Sequence, residues 1–168
     1  MTGTSEFDRL FEAHFAELVQ SLTAITGDRE LARDCVQEAF VRAYARWRRV
    51  RLYDNPVTWI RRVAINLSRD AHRSDTRRRR REDRVGNEQP AVREAEVEAV
   101  TSGLHLVALL DHLTPQQRAV AALFYLEDIS VAEIGVSLGI SAGAVKFHLN
   151  KARSTLKVVI EREAAVHD

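Results

Sequence analysis

Apolar side chains recur every three or four residues along most of this chain, and that period predicts helices throughout. Phe7, Leu10, Phe11, Phe15, Leu18 and Leu22 mark one amphipathic helix over about 7–25. Gly27-Asp28 interrupts it, and Asp28 can cap a second helix reaching about residue 49. That helix is expected to bury Ala32, Val36, Ala39, Phe40, Ala43 and Trp47. After a loop at 51–56, Asn55-Pro56 reads as a cap followed by proline at the first helical position. A third helix then covers about 57–74, with Ile60, Val63, Ala64, Leu67 and Ala71 inward. No run of alternating Val, Ile and Thr reads as a strand.

The pattern lapses after residue 75 and resumes near Leu104. Thr114-Pro115-Gln116-Gln117 has the form of a capping box and opens a helix through Leu126. Ser130-Val131-Ala132-Glu133 forms another, ahead of a short helix. Leu138-Gly139-Ile140-Ser141 then supplies a break, with Ser141 placed to cap a final helix. There Val145, Leu149, Ala152 and Leu156 form a core-facing stripe at i, i+4, i+7 and i+11. The expected fold is therefore all-α, with two small helical domains joined by a flexible linker. Their boundaries are expected at 5–76, 77–102 and 103–162. Within the linker, 91–100 can be transiently helical.

Charge sharpens this division. The formal net charge is only +1, but residues 42–81 hold 14 Arg and 3 acids, a net of +11. Residues 82–128 hold 3 Arg and 9 acids, a net of −6. Such segregation points to a polyanion partner for the first stretch. Arginine outnumbers lysine 22 to 3. That fits bidentate phosphate chemistry, and a codon bias toward Arg explains it equally well. One cysteine, Cys35, excludes an intramolecular disulfide and a Cys-based zinc site, and a small buried thiol suits it best. His14, His72, His105, His112 and His167 lack metal-ligand spacing, and no cofactor is expected. The N-terminus lacks a signal peptide's apolar core, and no stretch approaches the ~20 apolar residues of a membrane span. The sequence reads as a soluble, cytoplasmic chain without membrane insertion.

Three faces are left over once the apolar stripes are buried. Residues 129–157 read as a helix-turn-helix suited to the DNA major groove. Its second helix presents Gly143, Lys146, Phe147, Asn150 and Lys157, a small, basic and amide-bearing surface. Phe147 can touch a thymine methyl or pack along the preceding helix. His148 and Lys151 flank this surface as phosphate contacts. On the third helix Trp59, Arg62, Asn66, Arg69 and Arg73 share the side opposite the apolar stripe. Trp59 can stack on an unpaired base or tuck into the core, with equal weight; Asn66 can read a base edge, and the guanidiniums can hold phosphates. Tyr53 and Asp54 in the adjoining loop can help form a pocket. The arginine run at 77–81 is either a phosphate-binding tail, with salt-dependent affinity, or a solvated helix end; its adjacency to the Arg face favours phosphate. On the second helix Asp34, Gln37, Glu38 and Val41 point away from the core, which alone describes an ordinary solvent face.

The segments Asp34-Cys35-Val36-Gln37-Glu38-Ala39-Phe40, Pro56-Val57-Thr58-Trp59-Ile60-Arg61-Arg62-Val63-Ala64-Ile65-Asn66, and Leu113-Thr114-Pro115 through Ala152-Arg153 occur in a distinctive order and spacing. In these the chain resembles bacterial sigma factors of the extracytoplasmic-function (group IV) type in the sigma-70 family, from about Phe7 to Lys157. The resemblance implies an RNA polymerase sigma factor, not an enzyme, that directs core polymerase to promoters. It implies a region-2-like first unit docking on the polymerase β′ clamp helices through Asp34, Gln37, Glu38 and Val41. Tyr53, Asn55, Trp59, Arg62, Asn66, Arg69 and Arg73 would recognise and help open the −10 element. The second, region-4-like unit would read the −35 element through Ser141, Gly143, Lys146, Phe147, His148, Asn150, Lys151 and Arg153, near the polymerase β flap. Promoter melting would then run on binding energy, with captured single strand making the open state less costly. Family members are often held by an anti-sigma factor. Ala144, Phe147 and His148 depart from the Thr, Ser and Arg common in the family, which leaves the −35 preference open.

Two rivals remain at this stage. A LuxR-type regulator binding duplex operators without polymerase fits Val145-Lys146-Phe147-His148-Leu149 nearly as well, but the first half lacks the α/β pattern of a receiver or sensor domain. An enzyme acting on nucleic acid fits worse, because Asp34, Glu38, Asp54 and Asp70 are too scattered for a two-metal site.

Overall fold

The structure, a computed structural model, describes residues 5–82 and 101–166. Those residues form eight helices and no strand: α1 (Glu6–Thr26), α2 (Arg29–Ala45), α3 (Trp47–Val50), α4 (Pro56–Glu82), α5 (Thr101–Leu110), α6 (Pro115–Leu126), α7 (Val131–Leu138) and α8 (Ala142–Val166). The all-α expectation holds.

Local chemistry explains most of the boundaries. Ser5 and Asp8 close a capping box at the start of α1, and Gly27 ends that helix at φ 72°. Asp28 accepts from the Leu31 amide at the head of α2, and Asn55 Oδ1 accepts from the Thr58 amide at the head of α4. The boxes at Thr114–Gln117 and Ser130–Glu133 both form. Within the helix-turn-helix, Gly139 at φ 70° caps α7. Gly135 faces the turn so closely that a Cβ there would lie 2.8 Å from the Ile140 carbonyl oxygen.

Two boundaries differ from expectation. The second helix stops at Ala45, where the Arg46 amide donates to both Ala43 and Tyr44 carbonyls, and Trp47 opens the short α3. No glycine or proline marks this break. The third helix runs to Glu82 instead of about 74, so the arginines at 77–81 belong to α4 and not to a linker. Arg79 pairs with Asp75 at 3.2 Å and Arg78 with Glu82 at 3.4 Å, both at i,i+4. Arginine is a good helix former, and positive charge is favourable at a helix C-terminus. The segment expected to be transiently helical, 91–100, lies outside the described residues.

An aromatic knot ties α1 to α2 and α3. Phe7 meets Phe40, Tyr44 and Trp47 edge-on, and Phe11 meets Phe40 in the same way at 5.0 Å. Such pairs add about 0.5–1.5 kcal/mol each beyond area burial. The apolar cluster does not stop at this unit. It continues from Leu18, Phe40 and Ile60 into Ala119, Val120, Leu123, Ile134 and Leu138. Helix α1 packs on α6, and α4 packs on α7. The two helical units therefore share a seam.

Candidate nucleic-acid interface

Helix α4 carries three different surfaces, each at the same helical repeat. Ile60, Ala64 and Leu67 face the first unit's core, Ile60 fully buried. Trp59, Arg62, Asn66, Arg69 and Arg73 lie on a second side, where Arg62, Asn66 and Arg73 are exposed. Thr58, Arg61, Ile65 and Ser68 lie on a third and are all buried. At about 100° per residue these sets are centred roughly a third of a turn apart. The third surface was not anticipated. Its members are mostly polar, so a search for apolar periodicity passes over them.

That third surface is the seam with the second unit. Arg61 donates from Nε to Glu127 Oε2 at 2.7 Å and pairs with the same carboxylate through Nη2. Ser21 Oγ of α1 donates to Glu127 Oε1. The side chains of Arg61 and Glu127 are 6% and 1% exposed. Arg61 Nη1, Thr58 Oγ1 and Ser137 Oγ are buried without a hydrogen-bond partner among the described residues. Glu127 caps α6, and Asp128 beside it adopts a positive φ of 50° as the chain turns toward α7.

The residues expected at the −10 element fall into two groups. Arg62, Asn66 and Arg73 are free to meet a ligand, with Arg73 only loosely paired to Asp70 at 3.8 Å. Trp59 takes a middle course between its two readings: half-buried against the core, with its ring 6.5 Å from Tyr53. Asn55 and Arg69 are engaged with the second unit. Asn55 Nδ2 donates to Glu133 at 2.9 Å, and Arg69 Nη1 donates to the Leu138 carbonyl at 3.3 Å. Burial first, then the neighbouring Arg73, lowers the Arg69 pKa from its ordinary value.

On the last helix, Lys146, Asn150 and Lys151 are exposed and His148 is half-buried. Phe147 is 57% exposed, meeting only His148 and the Lys151 ammonium as ring partners among the described residues, so it does not pack along α7. Ser141 spends its hydroxyl on the Ala144 amide, as a cap. Arg153 is drawn back toward α6, donating to the Tyr125 hydroxyl at 3.0 Å with its guanidinium over Phe124. The α2 residues Asp34, Gln37, Glu38 and Val41 are all exposed, and Glu38 accepts from Arg42 at 2.7 Å. Exposed Tyr44 adjoins them.

Two sequence profiles match this chain: Sigma-70 region 2 over residues 10–78 and Sigma-70 region 4 over residues 104–156. An RNA polymerase sigma-E factor of Streptomyces avermitilis is 32% identical over 161 residues, covering 93% of this chain and 86% of the relative. The ECF RNA polymerase sigma factor SigL of Mycobacterium tuberculosis is 30% identical over 155 residues, covering 90% and 87%. The chain belongs to the sigma-70 family, as an extracytoplasmic-function sigma factor. The region 2 match across the first half removes the case for an independent LuxR-type regulator. Among solved structures, the sigma factor RpoE of Bartonella quintana, in complex with the anti-sigma factor NepR, superposes with a TM-score of 0.76 at 19% identity. It covers 93% of this sigma factor and 97% of that chain. CnrH in complex with the cytosolic domain of CnrY gives 0.65 at 21% identity, covering 93% and 88%. At these identities the likeness establishes the fold.

No helix among the described residues is long and apolar enough to cross a membrane. Cys35 is buried, and desolvation, then Asp34 and Asp28, raise its thiol pKa above the ordinary value.

Proposed function

We propose that this sigma factor divides its work among the three exposed faces described above, in the cytoplasm and without catalysis of its own. The observation that carries the proposal is the composition of α4: one helix offers a half-buried aromatic, an amide and free guanidiniums on a side distinct from both buried sides. Trp59 and Tyr53 supply stacking, Asn66 and Asn55 supply amide donors and acceptors, and Arg62, Arg69 and Arg73 supply phosphate contacts. Together they suit unpaired bases of the −10 element. The α8 surface of Gly143, Lys146, Phe147 and Asn150, flanked by His148, Lys151 and Arg153 and capped by Ser141, suits the major groove of the −35 element.

The α2 face suits a protein partner. Asp34, Gln37 and Glu38 beside exposed Val41 and Tyr44 give an acidic rim around an apolar centre, the anatomy of a docking patch. Core RNA polymerase, through its β′ clamp helices, is the proposed occupant, with the β flap meeting the second unit. The working domains are proposed as 5–76 and 103–162. An anti-sigma partner is also proposed, on the strength of a protein of this fold in such a complex.

The test is binding to purified bacterial core RNA polymerase by the intact chain and by an Asp34→Ala/Gln37→Ala/Glu38→Ala variant. Tight binding that disappears in the variant supports the docking face. Equal binding by both sinks it, and no binding by either sinks the polymerase reading.

A further inference from the structure

A cavity of about 560 Å³ is lined by α4, by the start of α6 and by the end of α7. Its walls are aliphatic: Ile25, Leu31, Ile65, Ala119, Leu138 and Ile140, all buried or half-buried. Two hydroxyls line the same space, but each spends its hydrogen on its own helix. Thr26 Oγ1 donates to the Leu22 carbonyl at 2.9 Å, and Ser68 Oγ donates to the Ile65 carbonyl at 2.8 Å. A guest body in this space is therefore rewarded for apolar contact. The volume is in the range of small-molecule sites, and the imidazole of His72 is the one aromatic ring in the lining. A flexible aliphatic body suits such walls better than a flat stacked ring.

The charged part of the lining has one sign. His72 and Arg73 line the cavity as exposed residues, Arg69 and Arg118 as half-buried ones, and no acidic residue among the described residues does so. Arg118 is already held, by the Leu110 carbonyl at 3.0 Å and the Asp111 carboxylate at 3.5 Å. The other two guanidiniums are held more loosely: Arg69 by the Leu138 carbonyl at 3.3 Å, and Arg73 by Asp70 at 3.8 Å. Each guanidinium has five N–H donors, so both retain capacity for an anion. Burial and the neighbouring Arg73 together lower the Arg69 pKa, and an anion beside the pair would offset both effects.

We propose that this cavity binds a medium-chain aliphatic carboxylate, its chain against Ile25, Ile65, Leu138 and Ile140 and its head on Arg69 and Arg73. Resting on the −10 reading of α4 above, the same ligand competes with DNA, because its head takes two guanidiniums assigned there to phosphates. Charge and chain are both needed. A short carboxylate leaves the apolar walls uncovered, and a neutral chain leaves the guanidiniums without a counter-charge.

The experiment titrates the intact chain with decanoate, below micelle-forming concentrations, by calorimetry and by thermal unfolding, with acetate and decanol as controls. Decanoate should bind saturably, one per chain, and raise the melting temperature by several degrees. Acetate and decanol should each bind at least tenfold more weakly. Gln116→Trp, which adds bulk to the lining from the first turn of α6, should weaken decanoate at least tenfold. Arg69→Met should do the same, and Arg77→Gln, on α4 outside this cavity, should not. Unsaturable binding, a lowered melting temperature, or wild-type affinity in a folded Gln116→Trp or Arg69→Met overturns the site. The competition is read separately, from the anisotropy of a labelled single-stranded DNA of random sequence, which decanoate should displace several-fold. DNA affinity untouched by saturating decanoate overturns the competition. A chain that takes decanoate but no DNA removes the −10 reading of α4, and with it the competition, and leaves the site standing.

Discussion

Glu133 accepts from Asn55 across the seam while also serving as the N3 residue of its own helix cap. Its Oε1 takes the Asn55 amide at 2.9 Å, and its Oε2 takes the Ser130 amide at 3.2 Å. Asn55 is equally divided, giving its side-chain oxygen to the Thr58 amide at the head of α4. One exposed pair thus couples the cap of the proposed −10 helix to the cap of the first helix of the helix-turn-helix.

Glu133→Ala should therefore cost more than a surface substitution. Loss of the reciprocal capping bond costs about 0.5–2 kcal/mol, and the Asn55 bond adds about 0.5–1.5 kcal/mol. At about 2–4 °C per kcal/mol for a chain of this size, thermal unfolding should move down by several degrees. Glu133→Gln, which keeps an acceptor for the Ser130 amide, should recover most of the loss. A melting temperature unchanged in Glu133→Ala would show that neither bond contributes in solution.

Gly135→Ala tests the helix-turn-helix itself. The added methyl would meet the Ile140 carbonyl at 2.8 Å, and that atom is backbone in a tight turn. Overpacking of this kind costs about 1–3 kcal/mol. Chemical denaturation should register that loss, and binding to −35 duplex should weaken because α8 is displaced relative to α7. Ala144→Gly, in contrast, should leave the α7–α8 angle intact, and DNA affinity separates the two.

How far the sequence was readable depends on what each surface is made of. The inward stripes of α1, α2 and α8 were legible because Leu18, Val36 and Val145 are apolar and periodic, and all three are buried. The caps were legible because they need particular side chains three residues apart. Exposure of Asp34, Arg62, Asn66 and Lys146 followed from the same wheel. The seam was not legible. Thr58, Arg61 and Ser68 are polar, and the partner that makes Arg61 burial tolerable, Glu127, is 66 residues away. A charge pair at that separation leaves no local trace. Nor did Arg153 announce that Tyr125 would hold it, 28 residues back.

Cys35 should be a slow nucleophile in the folded chain. Burial raises its thiol pKa, with Asp34 and Asp28 adding to the effect, so the thiolate is scarcer than in an unfolded chain at the same pH. The linkage has a definite sign: a pKa raised on folding stabilises the fold fully below the unfolded value. That contribution is lost as pH rises from the ordinary thiol pKa through the raised, folded one. Iodoacetamide should modify the native protein far more slowly than the urea-unfolded protein at neutral pH. Stability should also decline more steeply across that alkaline window in wild type than in Cys35→Ala. Fast native alkylation would contradict the buried placement.

Arginines 77–81 extend α4 beyond its packed part and are exposed, so replacing all five with Gln should leave thermal stability nearly unchanged. Their contribution should appear in salt dependence. For every duplex phosphate that these arginines neutralise, the replacement should reduce the slope of log affinity against log salt by roughly 0.9. An unchanged slope would make the run a solvated helix end.

Phe147 and Lys146 sit side by side on α8 but should behave differently. Phe147 is 57% exposed with Lys151 over its ring, so Phe147→Ala removes little packing and should barely alter the melting temperature. If the ring meets a thymine methyl, its removal should weaken binding by about 1–3 kcal/mol only on duplexes carrying that base pair. Replacing thymine by uracil, which lacks the methyl, should reproduce the effect in the wild type and add nothing in the variant. Lys146→Ala should weaken binding to all sequences alike and lower the salt slope if it meets phosphate, or relax one base position if it meets an edge. Equilibrium titrations of both variants against a panel of single-base-pair changes, at two salt concentrations, distinguish these outcomes. A Phe147→Ala protein with wild-type affinity on every duplex would remove that ring from the reading surface.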